Sequence, residues 1–279
     1  MYRGFNLELS GIESEYQTYD FYQECKNIAR INYENKKREC ADSLKNLILG
    51  KNGVIDGSAV KQKCFPTDGK YDVFLSHSHK DSDFALFIAG VLKKFLHIDV
   101  FIDWALWDYC DNLLKDIDDV YCLNKKSSNG KYSYESRNVS TAHVHLMLNT
   151  ALMEVMDNCE CLFFLNTPES ILLENDIESR TKSSWIYSEI SMSRMIRKII
   201  PERLSPPQIA TEAVLACFSE GLEMSYDVDL SHLQDVNSEN FVKWIENAPT
   251  ESNNAKECLD VLYKMFPISK QRTYKVICG

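Results

Sequence analysis

The sequence predicts an α/β protein built on a doubly wound parallel sheet. Short, β-prone apolar runs alternate with segments of helical periodicity, as in YDVFLS (71–76), the amphipathic stretch 83–96 and IDVFID (98–103). A strand, a helix and a second strand in that order form a β-α-β unit, which starts a parallel sheet. CLFFL (161–165) is wholly apolar, as is typical of a central strand that is buried on both faces.

The N-terminal part of the chain has a different pattern. Residues 12–49 contain neither Gly nor Pro and place apolar residues at helical spacing, and Gly50 ends this stretch. Residues 50–70 hold four Gly and one Pro, which is typical of a linker. We therefore predict a helical N-terminal extension with its linker over 1–66 and a second domain over 67–279. The extension either packs on that domain or joins subunits.

The rest of the chain predicts further elements of both kinds. A helix is expected at 142–158, and a serine at 183 or 184 is expected to cap another. The polar stretches 124–141 and 166–182 predict loops. Strands are also expected at 198–201 and 225–232, and helices at 205–222, 241–248 and 255–266.

Composition excludes several classes of protein. The 279-residue chain has a formal net charge of −10 and no basic cluster, which argues against nucleic-acid binding. No run of about 18 apolar residues is present, so no membrane span is predicted. The N-terminus lacks the pattern of a signal peptide, so we expect a cytoplasmic protein. In a reducing compartment, most of the ten cysteines are expected to be buried as small hydrophobic residues.

Neither a metal site nor a bound cofactor is predicted. The histidines include two H-x-H pairs, but His143 and His145 fall in a predicted helix, where residues two apart do not share a face. His77 and His79 follow a strand without a supporting carboxylate cluster. The chain also lacks a G-x-G-x-x-G fingerprint, a P-loop and a G-x-S-x-G elbow.

The candidate functional residues converge on one edge of the predicted sheet. Ligands of doubly wound sheets bind beyond the carboxyl ends of the strands. The segment 76–80 follows the first of these strands, Asp103 and Trp104 follow the second, and the loop after the third leads to SSWIYSEI (183–190). There Trp185 and Glu189 are four residues apart and share a helix face. Glu189 could equally be a solvated surface charge, and Trp185 could be a core anchor.

Four motifs in order, YDVFLSHSHKD, VFID, CLFFLNT and SSWIYSEI, together resemble a Toll/interleukin-1 receptor (TIR) domain, over about residues 70–200. The resemblance implies a flavodoxin-like sheet and cleavage of NAD+ at the nicotinamide–ribose bond, with Glu189 as the catalytic carboxylate. NAD+ would then be the substrate, and no further cofactor is implied. By position, the substrate-binding residues would be Ser76, His77, Ser78, His79, Asp103, Trp104 and Trp185.

The bacterial members of this family that cleave NAD+ make ADP-ribose or cyclic ADP-ribose isomers, some of which signal in antiphage defence. The resemblance therefore implies a homo-oligomer that assembles through the TIR domain, and a downstream effector that senses the product. The N-terminal helices, within residues 12–49, are our candidate for a further contact between subunits. The chain departs from the family in its long insertion, residues 104–141. A catalytically inactive TIR scaffold and a nucleotide-sensing module remain the alternatives.

Overall fold

The computed structural model describes residues 1–12, 19–41, 54–64, 71–123, 131–174, 178–204 and 226–268. The described helices are α1 (Tyr19–Ala41), α2 (Gly57–Cys64), α3 (Ser82–Leu96), α4 (Trp104–Ile117), α5 (Tyr134–Asn158), α6 (Ser184–Met195), α7 (Ser238–Asn247) and α8 (Ala255–Met265). The described strands are β1 (Arg3–Glu8), β2 (Val73–Ser76), β3 (Val100–Ile102), β4 (Cys161–Leu165), β5 (Leu172–Glu174), β6 (Glu178–Thr181), β7 (Tyr226–Asp227) and β8 (Gln234–Asn237).

Five strands form one parallel sheet in the order β3-β2-β4-β1-β8. This confirms the predicted α/β class and is compatible with a flavodoxin-like fold. A second, antiparallel sheet has the order β5-β6-β7. In a flavodoxin-like sheet the strand order is 2-1-3-4-5. When the strands are counted from β2, the first three follow that order, and the N-terminal strand β1 occupies the fourth place.

The alternation of side chains along each strand divides the core between the two faces of the parallel sheet. On one face, Phe5, Leu75 and Phe163 pack with helices α1, α3, α7 and α8. On the other face, Phe74 and Phe164 pack with helices α2, α4, α5 and α6. We call these the first and the second face of the sheet. Because helices cover both faces, the apolar strands β2 and β4 are fully buried, as predicted.

The position of β1 corrects the sequence analysis, which placed it in a helical extension. Residues 3–8 are extended and lie inside the sheet, with hydrogen-bonded neighbours β4 and β8 on either side. The physical reason is the alternation of Phe5, Leu7 and Leu9, which buries one side of this segment in the core. The division of the chain at residue 66 stays a prediction, but the parallel sheet includes a strand from the first eight residues.

Helix α1 confirms the prediction of a helix in the N-terminal part, and it packs closely on α3. Gly90 of α3 lies against the backbone of Cys25, so a Cβ atom added at Gly90 would lie 1.9 Å from the Cys25 carbonyl oxygen. Glycine is therefore required for this close helix contact. The inward residues Cys25 and Ala29 join the first-face core, so this side of α1 is occupied within the chain.

Four other predictions are corrected. Helix α5 begins at Tyr134, inside the predicted loop 124–141, because Ser133 caps it by accepting a hydrogen bond from Ser136 N. Strands β5 and β6 lie within the predicted loop 166–182. Residues 198–201 form no strand, and in the described part of the predicted last strand, residues 226–232, the only strand is the short β7 of the second sheet. The predicted helix 205–222 lies outside the described residues.

The structure also confirms two predicted C-terminal helices and the burial of the described cysteines. The helices expected at 241–248 and 255–266 are present as α7 and α8. The six cysteines whose side chains the structure describes are all buried free thiols, as expected; they are Cys25, Cys110, Cys122, Cys159, Cys161 and Cys258. None of the helices in the described part of the chain combines the length and the apolar character of a membrane span.

Candidate active site

The carboxyl ends of β2 and β3 bring two of the predicted site residues together. Leu75 pairs with Ile102 in the parallel ladder, so the residues that follow each strand are neighbours. His77 Nδ1 lies 3.2 Å from Asp103 Oδ1, which is ion-pair distance when the ring is protonated, although the two atoms lack the alignment of a hydrogen bond. Both side chains are almost fully buried.

Helix α6 adds Glu189 to this pair. Ser183, one of the two serines that the sequence offered as the cap, accepts a hydrogen bond from Ile186 N at the start of the helix. Glu189 then faces the last residue of β2, and Ser76 Oγ donates a hydrogen bond of 2.5 Å to Glu189 Oε2. Ser76 lies on the second face because it is two residues from Phe74, and α6 packs on that face.

The burial of Glu189 decides one of the alternatives that the sequence left open. Its side chain is 1% exposed, so the interpretation as a solvated surface charge is wrong. Burial raises the pKa of the Glu189 carboxyl well above its usual range, and the negative charge of Asp103 raises this pKa further. The hydrogen bond from Ser76 acts in the opposite direction, because it favours the ionised form. Glu189 Oε1 is buried without a hydrogen-bond partner.

The other predicted site residues lie further from this cluster or contribute differently. Ser78 is buried and caps the short 3-10 helix His79–Asp81 by accepting a hydrogen bond from Lys80 N, whereas His79 is exposed. Trp185 is half-buried beside the second-face core, and its ring meets His145 edge to face at 5.7 Å. This packing is what the core-anchor interpretation expects. Trp104 begins α4, but its side chain lies outside the described part of the structure.

The structure also reveals polar clusters that the sequence analysis missed. Asn6 on β1 donates hydrogen bonds to Glu8 and to Asp235 on β8, beside a cavity of about 810 Å³. The available signal was the alternating pattern FNLEL, which places the polar residues Asn6 and Glu8 on one side of the strand. In a second cluster, Asp118 is buried and accepts hydrogen bonds from Ser140 Oγ and Arg137 Nε, at 2.5 and 2.8 Å. This cluster ties the turn after α4 to the start of α5.

Neither the cluster around Asn6 nor the cluster around Asp118 has the arrangement of a metal site. Among the residues whose side chains are described, no group of three or more His, Cys, Asp or Glu is arranged to hold a metal ion. The contacts described above instead form an acid–base cluster of Ser76, His77, Asp103 and Glu189. This cluster lies at the edge where doubly wound sheets bind ligands. Such a cluster can accept hydrogen bonds from ligand hydroxyl groups and stabilise developing positive charge.

Comparison with family models, curated proteins and solved structures finds no match to this chain.

Proposed function

We propose that the chain is a cytoplasmic TIR-type enzyme that cleaves NAD+ at the nicotinamide–ribose bond, with Glu189 as the catalytic carboxylate. One observation carries this proposal. A buried carboxyl group on α6 accepts a hydrogen bond from Ser76 and lies beside Asp103, at the carboxyl ends of β2 and β3. A carboxylate held in this way, at the ligand-binding edge of a doubly wound sheet, fits the four TIR-like motifs of the sequence.

The reaction suits a single carboxylate. The bond between the ribose C1′ and the pyridinium nitrogen breaks, and nicotinamide leaves as a neutral molecule, so the leaving group needs no proton from an acid. Most glycosidases, in contrast, use a second carboxylic acid to protonate the leaving oxygen. Ionised Glu189 would stabilise the oxocarbenium-like ribose. Attack by water at C1′ gives ADP-ribose and a proton, and attack by an adenine nitrogen gives a cyclic ADP-ribose.

The surrounding residues would adjust the charge of Glu189. Burial and Asp103 favour its protonated form in the unliganded protein. A bound pyridinium brings a positive charge that favours the ionised form, so substrate binding and ionisation of Glu189 would support each other. Ser76 would hold the carboxylate in orientation through its hydrogen bond. Because Glu189 is 1% exposed, the ribose reaches it only after the side chains that cover it move.

The same burial favours a second candidate from another class. In the structure the Glu189 carboxyl is closed to solvent, as expected for an inactive TIR scaffold or a nucleotide-sensing module in which this group is structural. A scaffold binds partners without turnover, and a sensor holds an intact nucleotide.

For the enzyme, we propose a homo-oligomer assembled through the TIR domain and the N-terminal helices, and a product that a downstream effector senses in antiphage defence.

The deciding experiment is chromatography of NAD+ incubated with the purified protein at high concentration. Glu189→Gln is the test variant, and Glu246→Gln on the exposed surface of α7 is the control with the same change in charge. We expect nicotinamide release by the wild type and the control, and its loss in Glu189→Gln. A cyclic co-product would identify a signal-producing enzyme, and linear ADP-ribose would indicate NAD+ depletion. Full activity of Glu189→Gln would overturn the proposal.

If the wild type shows no turnover, two measurements separate the alternatives. Calorimetric titration with ADP-ribose distinguishes a sensor, which binds the intact nucleotide, from a scaffold, which does not. Light scattering over a concentration series shows whether the chain self-associates without ligand, as a scaffold should.

A further inference from the structure

A cavity of about 810 Å³ lies on the second face of the parallel sheet, beside β1 and β8. Its volume is within the range of small-molecule sites, about 300–1,000 Å³. Phe5 and Leu7 point to the first face, so Asn6 and Glu8 point to the second face. Asp235 is paired with Asn6 in the ladder and shares this face. Asn6 thus occupies the position across from Phe164, the phenylalanine that β4 places on this face.

The polar wall of the cavity offers hydrogen-bond acceptors and negative charge. Asn6 Nδ2 donates to Glu8 Oε1 at 3.3 Å and to Asp235 Oδ1 at 2.9 Å, which holds the two carboxylates close to one nitrogen atom. Asn6 itself is 3% exposed, and its Oδ1 atom has no hydrogen-bond partner. Glu8 and Asp235 are exposed and therefore accessible to a ligand. The described residues that line the cavity include no Lys, Arg or His.

Part of the remaining lining is apolar, beside several uncharged polar side chains. Ile171, Leu230 and Leu233 contribute apolar surface to the same cavity. A site with two carboxylates, an unsatisfied carbonyl oxygen and an apolar wall matches a ligand with a cationic head and a hydrocarbon body. An ammonium group has three donors and no acceptor, which complements this set of acceptors. A phosphate or carboxylate ligand would be repelled, because no described lining residue carries a positive charge.

We propose that this cavity is a binding site for a small primary amine with an apolar body. The ammonium group contacts the exposed carboxylates of Glu8 and Asp235 from the cavity, and the hydrocarbon part lies against Leu230 and Leu233. The site is distinct from the Glu189 cluster but close to it. The ladder places Ser76, Phe164, Asn6 and Asp235 in one row across the sheet, so Ser76 and Asn6 are two strand spacings apart, about 10 Å. The proposal does not depend on the function proposed for Glu189.

The test is isothermal titration of the full chain with n-hexylamine, beside n-hexanol, which has the same hydrocarbon body without the charge. We expect one molecule of hexylamine to bind per chain and hexanol to bind at least about tenfold more weakly. In the double variant Glu8→Gln/Asp235→Asn, hexylamine affinity should fall by at least about tenfold. Both substitutions are at exposed positions and keep the side-chain shape, and a thermal melt of the variant shows whether it folds.

The control variant is Glu239→Gln/Glu246→Gln, which removes two exposed charges from α7, outside the described lining of the cavity. It should bind hexylamine as the wild type does, and an equal loss in this control would mean that net charge alone attracts the amine. Equal affinity for hexanol, unchanged affinity in Glu8→Gln/Asp235→Asn, or no binding of hexylamine by the wild type would each overturn the proposal. Displacement of hexylamine by calcium at equal concentration would show a metal site instead.

Discussion

Replacing Glu189 by glutamine should stabilise the protein at neutral pH, and the gain should increase as the pH rises. Burial and the charge of Asp103 raise the pKa of the Glu189 carboxyl in the folded protein, whereas a glutamate in an unfolded chain titrates near pH 4.3. The stability contribution of protonated Glu189 is therefore complete below the unfolded pKa and is lost as the pH rises toward the folded pKa. In that interval each pH unit costs about 1.4 kcal/mol. Glutamine has the same shape and does not ionise, so it avoids this loss.

The assay is urea unfolding of the wild type and of Glu189→Gln, from about pH 5 to about pH 8. The difference in the free energy of unfolding should increase in favour of the variant, with a slope of at most about 1.4 kcal/mol per pH unit. The difference should become constant where the wild-type carboxyl is fully ionised. Glu246→Gln, at an exposed position of α7, should show no comparable slope. A difference for Glu189→Gln that does not change with pH would refute the reasoning.

Ser76→Ala tests the opposing contribution in the same assay. Ser76 Oγ is the donor to Glu189 Oε2, and this bond favours the ionised carboxylate. Without the donor, the buried acceptor loses its partner, at a cost on the order of 1–3 kcal/mol. The pKa of Glu189 should rise further, so the pH-dependent loss of stability should extend to higher pH than in the wild type. An unchanged pH profile would mean that the bond is absent in solution.

Three further predictions concern the fold. Gly90→Ala should cost about 1–3 kcal/mol or more in urea unfolding, because its Cβ would overlap the Cys25 carbonyl, whereas Gly57→Ala has its nearest neighbour at 4.0 Å and should be tolerated. His232→Gln should reduce the loss of stability on acidification below about pH 6.5, because burial and nearby cations lower the folded pKa of His232 to about 4. If the variant and the wild type lose the same amount of stability on acidification, the lowered pKa of His232 in the folded protein is contradicted. Removal of residues 1–12 should abolish cooperative unfolding in circular dichroism, because β1 pairs with two strands, and a cooperative transition would contradict this.

The elements that could be predicted from the sequence are those with a strong local signal. Strand β4 is five consecutive buried apolar residues, and α3 is an amphipathic segment of 15 residues. The position of β1 could not be predicted by counting strands along the chain. Its alternating pattern was readable in the sequence, but a strand that completes a sheet between β4 and β8 is specified by tertiary contacts more than 150 residues apart.

The candidate site was predictable as a set of segments but not as a set of contacts. Parallel strands end at a common edge, so His77 and Asp103, which lie 3.2 Å apart, could be placed together from the sequence alone. The same argument included His79, which is exposed because a turn of 3-10 helix begins there. Burial of Glu189 depends on how α6 docks on the second face, and no local pattern reports that docking.

The row Ser76, Phe164, Asn6 and Asp235 connects the two sites on the second face. Phe164 is fully buried and lies between the Glu189 cluster and the amine-binding cavity, so the side chains on either side of it are separated by a single strand. A ligand that changes the packing of Phe164 from the cavity side would act directly on the residue next to Ser76, the donor to Glu189. Because β1 contributes Asn6 to this row, the N-terminal strand completes both the sheet and the wall of the second site.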